Sequence, residues 1–509
     1  MPTYLSPGVY VEERPGGSAP IQGVGTAVAA FVGLAEKGPF NSPTLVSNWK
    51  QFVDSFGGFT GDAYLAHAVY GYFLNGGGNC FVVRIGSEGS AAIAQGALPP
   101  VAGDGKAAAP RLTARSLLAG SAGNDISVEI VDATEASDDN FKLVVKRNGK
   151  ADEEYDNVSL GKGKQNVVAA VKAASKLIEL VEAASAPATR PANGTVSLAG
   201  GAGKAAAKLS SDDYVGDVAD RTGFGGLETV DEVTMVCVPD VWAAHQKGWL
   251  DLEGVKAVQL AMIAHCELMG DRVAILDPPP DLKPQHVLNW RRDEAGYDSK
   301  YAALYWPWVK VHDPALNANI LVPPSGHVAG IWGRNDDSRG VHKAPANEVV
   351  RGVISLGCDL TSREQELLNP VGVNCIRSFP GRGVRVWGAR TLSSDPEWVY
   401  LNVRRLFNYL EESILTGTQW VVFEPNDDAL WARVRRTITA FLTNEWRKGA
   451  LFGLTPDEAF FVKCDRETNP QESIDLGQLI CEIGVAPVKP AEFVIFRLSQ
   501  FSGGAALAE

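Results

Sequence analysis

Between residues 91 and 220 the chain contains no tryptophan, cysteine, histidine or methionine, and this gap constrains the fold more than any other feature. Alanine, glycine, lysine and serine are abundant there, whereas eleven of the twelve tryptophans lie at or beyond Trp242. Such a change in composition along one chain indicates a domain boundary. The sequence therefore predicts that residues 91–220 form a separate domain, inserted into a body that the flanking segments build together.

The inserted segment carries the signals of a β-hairpin. Residues 127–132 and 141–147 are predicted strands, and Asn148 and Gly149 provide the residue types of a tight hairpin turn. A helix is predicted over residues 166–183. The stretches rich in alanine, glycine and proline are predicted loops or linkers: residues 86–105 and 184–207.

The segments that flank the insertion alternate between predicted strands and helices. The predicted strands are residues 26–33, 80–85, 233–239, 272–277 and 302–311. The predicted helices are residues 63–74, 255–269 and 284–295. Strand and helix alternation with these spacings is typical of an α/β layer. We therefore expect a discontinuous α/β body made of residues 23–90 and 221–381.

From residue 382 onward the pattern changes to that of a compact α+β module over residues 382–490. Helices are predicted over residues 398–415 and 428–448, because apolar residues recur at three- and four-residue spacing and Gly449 follows as a stop. The predicted strands of this region are residues 384–390, 420–423, 459–465, 478–485 and 492–498. The chain as a whole is thus predicted to be an α/β and α+β multidomain protein.

Composition limits the function. The net charge of −13 argues against nucleic-acid binding, which needs an excess of lysine and arginine. The longest apolar stretch, residues 26–35, is far shorter than the ~20 residues of a membrane span, and the first residues lack a secretory signal, so we expect folding in the cytoplasm and no membrane insertion. The seven cysteines are scattered singly without metal-ligand spacing, so no disulfide framework, metal or other cofactor is predicted.

Both ends of the chain read as tethered strands. Near the start, residues 9–13 (Val-Tyr-Val-Glu-Glu) form a short predicted strand followed by a glycine- and proline-rich tether, residues 14–23. Near the end, residues 492–498 are apolar on both faces and follow Pro487 and Pro490, which favour a stiff, extended connector. A tethered strand suits addition to a sheet edge, either of the same chain or of another molecule.

No pattern of catalytic residues stands out. The chain has neither a G-x-S-x-G nor an H-E-x-x-H sequence, and Gly200 to Lys204 lacks the flanking residues of a phosphate-binding loop. Ser325 and His327 come nearest to a catalytic pair, but their placement favours a turn with structural hydrogen bonds. We predict that the chain is not an enzyme, and a hydrolase remains the alternative from that class.

Several segments resemble one family. Residues 5–13 (LSPGVYVEE), 322–330 (VPPSGHVAG) with Asp336 and Asp337 after them, and 369–374 (NPVGVN) match it, as do 385–392 (RVWGARTL), the helix from Val403 to Ile414, and 490–493 (PAEF). In this order they are similar to the contractile tail sheath family, found in contractile bacteriophages, R-type pyocin-like particles and other phage-derived injection systems. The inserted segment is poorly matched, as expected of a variable outer domain.

The resemblance implies a structural role. Sheath subunits stack in rings, expected here to be hexameric, around an inner tube, and their ends enter neighbouring subunits. By this resemblance the arms 1–22 and 491–509 carry the exchanged strands, with residues 459–465 and 478–485 as the receiving edge. The expected strand-exchange residues are Val9, Tyr10, Val11, Glu12, Phe493, Val494, Ile495 and Phe496.

Other partners also follow from the resemblance: a tube protein, baseplate proteins and a terminal cap, with assembly in the cytoplasm into a phage-tail-like particle. Contact with the tube must be weak enough to release, which favours solvent-exposed charges over an apolar interface. The candidates on the two C-terminal helices are Arg404, Arg405, Arg433, Arg435, Arg436, Arg447 and Lys448. A non-contractile shell or lattice protein is the alternative structural role.

Overall fold

The computed structural model describes residues 20–61, 63–86, 93–99, 112–135, 137, 139–161, 163, 165–183, 190–201 and 208–497. The chain divides into two compact units, one of residues 86–208 and one of everything else. The smaller unit ends at Lys208 rather than at the predicted residue 220, because Leu209 and Tyr214 are buried in the core of the larger unit.

The larger unit begins with three strands and two helices before the insertion. They are β1 (Ala29–Gly33), β2 (Thr44–Val46), α1 (Trp49–Phe56), α2 (Leu65–Leu74) and β3 (Cys80–Arg84).

The smaller unit is mostly β-structure with a core of its own. Its elements are β4 (Ile93–Ala97), β5 (Leu112–Ala119), β6 (Ile126–Asp132), β7 (Phe141–Arg147), β8 (Lys150–Val158), α3 (Val167–Ala174), β9 (Ile178–Glu182) and β10 (Gly194–Ser197). They form one sheet in the order β10-β6-β7-β8 and another in the order β4-β5-β9.

The hairpin prediction in this unit is confirmed. Asn148 and Gly149 join β7 to β8 with φ angles of 51° and 77°, the left-handed backbone that a tight hairpin turn requires. The predicted helix 166–183 is wrong in its second half, because Ile178 and Leu180 are buried while Glu179 between them is exposed, which is the alternation of a strand. The two predicted loops also contain short strands, β4 and β10.

Further elements of the larger unit follow the insertion. The strands are β11 (Met235–Cys237), β12 (Val273–Leu276), β13 (Ala302–Trp306), β14 (Val309–Asp313), β15 (Ala318–Val322), β16 (Glu348–Val349), β17 (Ser355–Leu356), β18 (Val373–Phe379), β19 (Gly383–Val386), β20 (Phe460–Lys463) and β21 (Glu482–Val485). The helices are α4 (Ser211–Val215), α5 (Val241–Gln246), α6 (Leu252–Met269), α7 (Pro284–Asn289), α8 (Ser325–Arg339), α9 (Ser362–Leu368), α10 (Leu401–Gly417), α11 (Asp428–Arg447), α12 (Pro456–Ala459) and α13 (Gln471–Asp475).

A nine-stranded sheet organises this unit, in the order β16-β19-β18-β13-β12-β11-β1-β3-β2. The neighbouring strands from β18 to β3 in this order pair in parallel. Parallel strands buried on both faces need continuous apolar sequence, and β1, β11, β12 and β13 are buried throughout. Strands from both sides of residues 86–208 join this sheet.

Two predicted strands of the body differ from the structure. The predicted strand 302–311 is two strands, β13 and β14, which belong to different sheets. The predicted strand 384–390 ends at Val386 as β19, which pairs with β18 and β16 in the large sheet. Residues 382–386 therefore belong to the body, and the predicted start of the C-terminal module at residue 382 is wrong.

The C-terminal region packs α10 and α11 against the two-stranded sheet of β20 and β21. Most of the predicted apolar stripes is buried in one core, which contains Leu406, Leu410, Leu430, Val434, Ile438, Phe441 and Leu442. The other three predicted stripe residues differ: Phe407 and Ile414 are only partly buried, and Val403 is buried outside this core. The predicted strand 420–423 is instead a 3-10 turn at Gln419–Val421. Residues 492–497 form no strand within this chain.

Candidate assembly surface at the carboxyl terminus

The predicted N-terminal exchange residues Val9, Tyr10, Val11 and Glu12 lie outside the described residues. The described chain starts at Pro20 and immediately runs along α10. Ile21 lies so close to Gly417 that a Cβ on that glycine would fall 2.6 Å from Ile21 Cγ1. The backbone N–H of Val24 donates to Ser413 Oγ at 3.1 Å. The last part of the predicted tether, residues 20–23, is therefore held against the C-terminal helices.

The segment after β21 is also held to the body. Phe452 N–H donates to Ala486 O at 2.8 Å, and Val488 N–H donates to Ala450 O at 3.3 Å. Asn402 Nδ2 donates to Val488 O at 3.0 Å. The proline-containing connector is thus fixed by hydrogen bonds to two separate parts of the unit.

Glu492 makes the last of these attachments. Its carboxylate accepts hydrogen bonds from Arg390 Nε at 3.0 Å, from Arg390 Nη2 at 2.5 Å and from Asn369 Nδ2 at 2.6 Å. Burial raises the pKa of this carboxyl, but the bonds from Arg390 and Asn369 outweigh burial and hold the pKa below its ordinary value. We call this group of three residues the Glu492 clamp.

Beyond the clamp lies the tail, residues 493–509, of which 493–497 are described. Phe493, Val494, Ile495 and Phe496 are exposed by 72, 68, 79 and 85%. Four consecutive apolar side chains in water cost about 1.5–3 kcal/mol each relative to full burial. A run of this kind, directly after an anchored residue, is typical of a segment that another surface covers.

The sheet of β20 and β21 is bordered by further exposed apolar side chains. Phe461 in β20 is 58% exposed and covers Gly484 on the facing strand, where a Cβ would fall 2.1 Å from its ring. The other exposed apolar residues of the connecting loops are Phe452, Leu454, Leu476 and Ile480. Among the described residues this sheet has only two strands, so it offers main-chain edges to an added strand.

Two of the candidate tube-contact residues are core residues, and their assignment as exposed charges is wrong. Arg405 is 4% exposed and pairs with Asp336 at 2.6 Å, while Thr26 Oγ1 donates to the same carboxylate. Arg404 is 2% exposed, donates to Asn408 and Glu411, and lies over the ring of Trp398. Their helical positions face the core, and a buried guanidinium needs a partner within the protein.

The other five candidates lie on or just after α11. Arg433 lies near Glu424, Arg435 donates to Cys464 O, and Lys448 pairs with Glu445. The side chains of Arg436 and Arg447 make no hydrogen bond or ion pair with any part of the chain that the structure describes. These two are eleven residues apart, which places them on the same face of the helix about 16 Å apart along its axis.

Ser325 and His327 are explained by packing rather than by chemistry. They lie in the first turn of α8, not in the predicted turn, and Ser325 N–H donates to Asp277 Oδ1 at 3.0 Å. Both side chains are buried, at 0 and 2% exposure. Burial together with the nearby His67 lowers the pKa of His327 to about 4, so the ring is neutral at pH 7.

Residues 322–330 (VPPSGHVAG) also contain a helix-packing signal that was not used to predict the fold. Gly326 and Gly330 are four residues apart on α8 and lie against the backbone of α2. A Cβ at either position would fall 2.3 Å from a main-chain oxygen, of Ala68 and of Tyr72 respectively. The G-x-x-x-G spacing, which lets two helices approach closely, was available in the sequence to predict this contact.

No group of three or more histidine, cysteine, aspartate or glutamate side chains among the described residues is arranged to hold a metal ion. None of the described helices is both long and apolar enough to span a bilayer.

Comparison with known proteins identifies the family. Residues 232–392 match the model of the phage tail sheath protein central domain, and residues 393–501 match that of the phage tail sheath C-terminal domain. Together the two matches cover more than half of the chain. The chain belongs to the phage tail sheath family. The division between the two family domains, after residue 392, agrees with the large sheet ending before α10.

Relatives with curated names agree with this membership. The tail sheath protein of Vibrio phage KVP40 is 28% identical over 221 residues, which are 43% of this chain and 32% of that protein. A putative prophage major tail sheath protein of Pseudomonas aeruginosa strain UCBPP-PA14 is 28% identical over 250 residues, 48% of this chain and 61% of that protein. The chain thus spans less than two thirds of the length of either relative.

One solved structure shares the fold of this chain over almost the whole length of both chains. It is the sheath complex, in the contracted state, of an extracellular contractile injection system named PVC. The TM-score is 0.59 at 24% identity, covering 98% of this chain and 99% of that chain.

Proposed function

We propose that this chain is the repeating subunit of a contractile sheath in a phage-tail-like injection particle. The sheath would surround an inner tube, and its contraction would drive that tube through a target envelope. The observation that carries the proposal is the tail: four exposed apolar residues follow the Glu492 clamp, and the β20–β21 sheet pairs with no further strand among the described residues.

The exchanged strand is the tail, and the receiving site is the β20–β21 sheet of a neighbouring copy. An added strand would gain main-chain hydrogen bonds at the edge and bury its alternate side chains against the apolar border. Val494 and Phe496 would lie on one face of that strand, and Phe493 and Ile495 on the other. The N-terminal residues Val9, Tyr10, Val11 and Glu12 would contribute a second exchanged strand, as the family resemblance implies.

The mobile parts of the machine would be the globular bodies. Arms that stay paired with neighbouring copies keep the subunits connected, while the bodies change their mutual contacts between an extended and a contracted state. This work needs no catalysis, so we propose a structural role without enzymatic activity or cofactor. Stacked hexameric rings, a baseplate, a terminal cap and assembly in the cytoplasm complete the proposal.

Arg436 and Arg447 are the proposed main contacts with the tube, with Arg433, Arg435 and Lys448 beside them. Exposed charge pairs contribute about 1 kcal/mol or less each, so contacts of this kind hold the tube and still release it. Reversing both charges, in Arg436→Glu with Arg447→Glu, is expected to separate sheath assembly from tube capture. Lys150→Glu, which changes an exposed charge on the smaller unit, is the matched control.

Electron microscopy of the chain, alone and co-expressed with a tube protein, tests the proposal. Hollow cylinders are expected from the wild type. A chain truncated after Glu492 keeps the clamp and is expected to remain a folded monomer without long cylinders.

Phe423→Asp is the control for losing an exposed aromatic side chain elsewhere, since Phe423 is fully exposed on another loop. Cylinders of normal length from the truncated chain would refute strand exchange by the tail. Flat sheets from the wild type would favour a lattice protein, and a monomer at high concentration would refute both structural roles.

A further inference from the structure

Two of the seven cysteines face each other across the β20–β21 sheet. Lys463 pairs with Glu482 at the end of the antiparallel ladder. Cys464 and Cys481 are the next residues on each strand, so they occupy the following rung. Each thiol influences the pKa of the other, and both thiols are free. Residues opposite each other on antiparallel strands have Cα atoms about 4.5–5.5 Å apart, which lies within the range that a disulfide spans.

The backbone around both thiols is held in place. Arg435 Nη1 donates to Cys464 O at 3.0 Å. Asn469 closes the connecting loop, because its Nδ2 donates to Ile480 O at 2.9 Å and its Oδ1 accepts from Ile480 N–H at 2.6 Å. The backbone that carries the two cysteines is therefore held in the register of β20 against β21.

We propose that Cys464 and Cys481 form a reversible intrachain disulfide when the chain meets a low-molecular-weight disulfide such as oxidised glutathione. The thiolate of Cys481, which is the more exposed of the two, attacks the small disulfide and releases one small thiol. The thiolate of Cys464 then attacks the Cys481 sulfur of the mixed disulfide and releases the second. Two protein thiols are oxidised, one small disulfide is reduced, and the two protons end on the two small thiols.

The disulfide would close the loop of residues 465–480 and fix the register of β20 against β21. A two-stranded sheet is marginal without such support, so its stability is the property that oxidation changes. This inference does not depend on the proposed sheath function, since it concerns the folded chain alone. If the function holds, oxidation outside the cell stiffens the sheet that receives the neighbour's strand.

The test counts thiols in the purified full-length chain after incubation with oxidised glutathione at pH 8.5. After denaturation without reductant, the wild type is expected to fall from seven thiols to five and to yield one peptide pair that joins Cys464 to Cys481. Burial raises the pKa of Cys481 to about 12. The rate should therefore rise about tenfold between pH 7.5 and pH 8.5, because the thiolate is the reacting form.

Two variants make the outcome decisive. Cys481→Ser should keep all six of its thiols, whereas Cys358→Ser, which removes another partly exposed cysteine, should fall from six to four. Seven thiols retained in the wild type after prolonged oxidation would overturn the proposal. So would equal losses in Cys481→Ser, or a mixed disulfide on Cys481 that Cys464 never resolves.

Discussion

Replacing Glu492 with glutamine tests whether the clamp holds the base of the tail. Glutamine keeps the shape of the side chain but removes the charge that attracts Arg390, and it places an amide N–H group where one donor now points. The wild-type carboxylate accepts three bonds, two from Arg390 and one from Asn369, and its side chain is 21% exposed.

The free energy that Glu492→Gln is expected to remove from the closed segment lies between two limits. Buried hydrogen bonds to charged groups contribute about 1.5–3 kcal/mol, and exposed ion pairs about 0.2–1 kcal/mol. A partly buried group with three donors should lose about 1.5 kcal/mol of the free energy that keeps the segment closed. Since about 1.4 kcal/mol is a factor of ten, the segment should open about ten times more often.

Hydrogen–deuterium exchange of the peptide covering residues 486–497 measures this opening. The amide of Val488, bonded to Ala450 O, should exchange about tenfold faster in Glu492→Gln at pH 7, while the peptides of β18 stay unchanged. Glu467→Gln is the matched control, because its carboxylate pairs with Lys463 but is 78% exposed. Unchanged exchange at Val488 in Glu492→Gln would show that the backbone alone fixes the connector.

The pH dependence of the clamp follows from the direction in which the pKa of Glu492 is shifted. The pKa of Glu492 is held below its ordinary value in the folded chain. Its contribution is therefore complete above the unfolded pKa and is lost as the pH falls through the lower folded value. After correction for intrinsic exchange rates, faster opening should appear only below about pH 4.5 in the wild type, and the variant should show no such step.

Three further substitutions test the interior. Gly330→Ala places a Cβ 2.3 Å from Tyr72 O and should lower the free energy of unfolding by about 1–3 kcal/mol in denaturant titrations. Gly333→Ala, where the nearest atom to the new Cβ is 3.6 Å away, should leave that free energy unchanged. Equal effects of the two substitutions would refute the contact between α8 and α2. Arg405→Met leaves the buried Asp336 carboxylate without its cationic partner and should lower the free energy of unfolding by about 3–5 kcal/mol. Arg436→Met, at an exposed position, should lower it by almost nothing. Similar melting curves for the two variants would contradict the buried pair. His327 has a pKa of about 4 in the folded chain and 6.5 in the unfolded chain, so protonation of the unfolded chain destabilises the fold as the pH falls. Between pH 7 and pH 5 the free energy of unfolding of the wild type should fall by about 2 kcal/mol more than that of His327→Gln. Parallel pH profiles of the two proteins would refute this.

The sequence was most informative where one physical requirement dominates. Strands such as β1 and β13 are buried on both faces, so their apolar runs identify them without knowledge of their neighbours. The apolar stripes on α10 and α11 likewise identified these two helices and the face of each that packs in the C-terminal core. The hairpin at Asn148 and Gly149 was predictable because few residue types accept its backbone.

The errors arose where tertiary contacts decide. Residues 178–182 are alanine-poor and equally compatible with helix or strand, and pairing with β5 makes them a strand. Arg404 and Arg405 could be read as surface charges because their partners, such as Asp336, are distant in sequence. Cys464 and Cys481 were counted among singly scattered cysteines because they are distant in sequence, and only the register of β20 and β21 brings them together. The tail was predicted as a strand from its apolar pattern, but residues 492–497 form no strand within this chain.

The Glu492 clamp also has a mechanical consequence. Tension applied to the tail would reach Glu492 first and pass through its side chain to Arg390. The backbone of Arg390 is joined to Asn374 by two hydrogen bonds, of 2.7 and 2.8 Å, and Asn374 is part of β18. The load would thus enter the nine-stranded sheet at β18, and the clamp would shield the small β20–β21 sheet of the same chain from it.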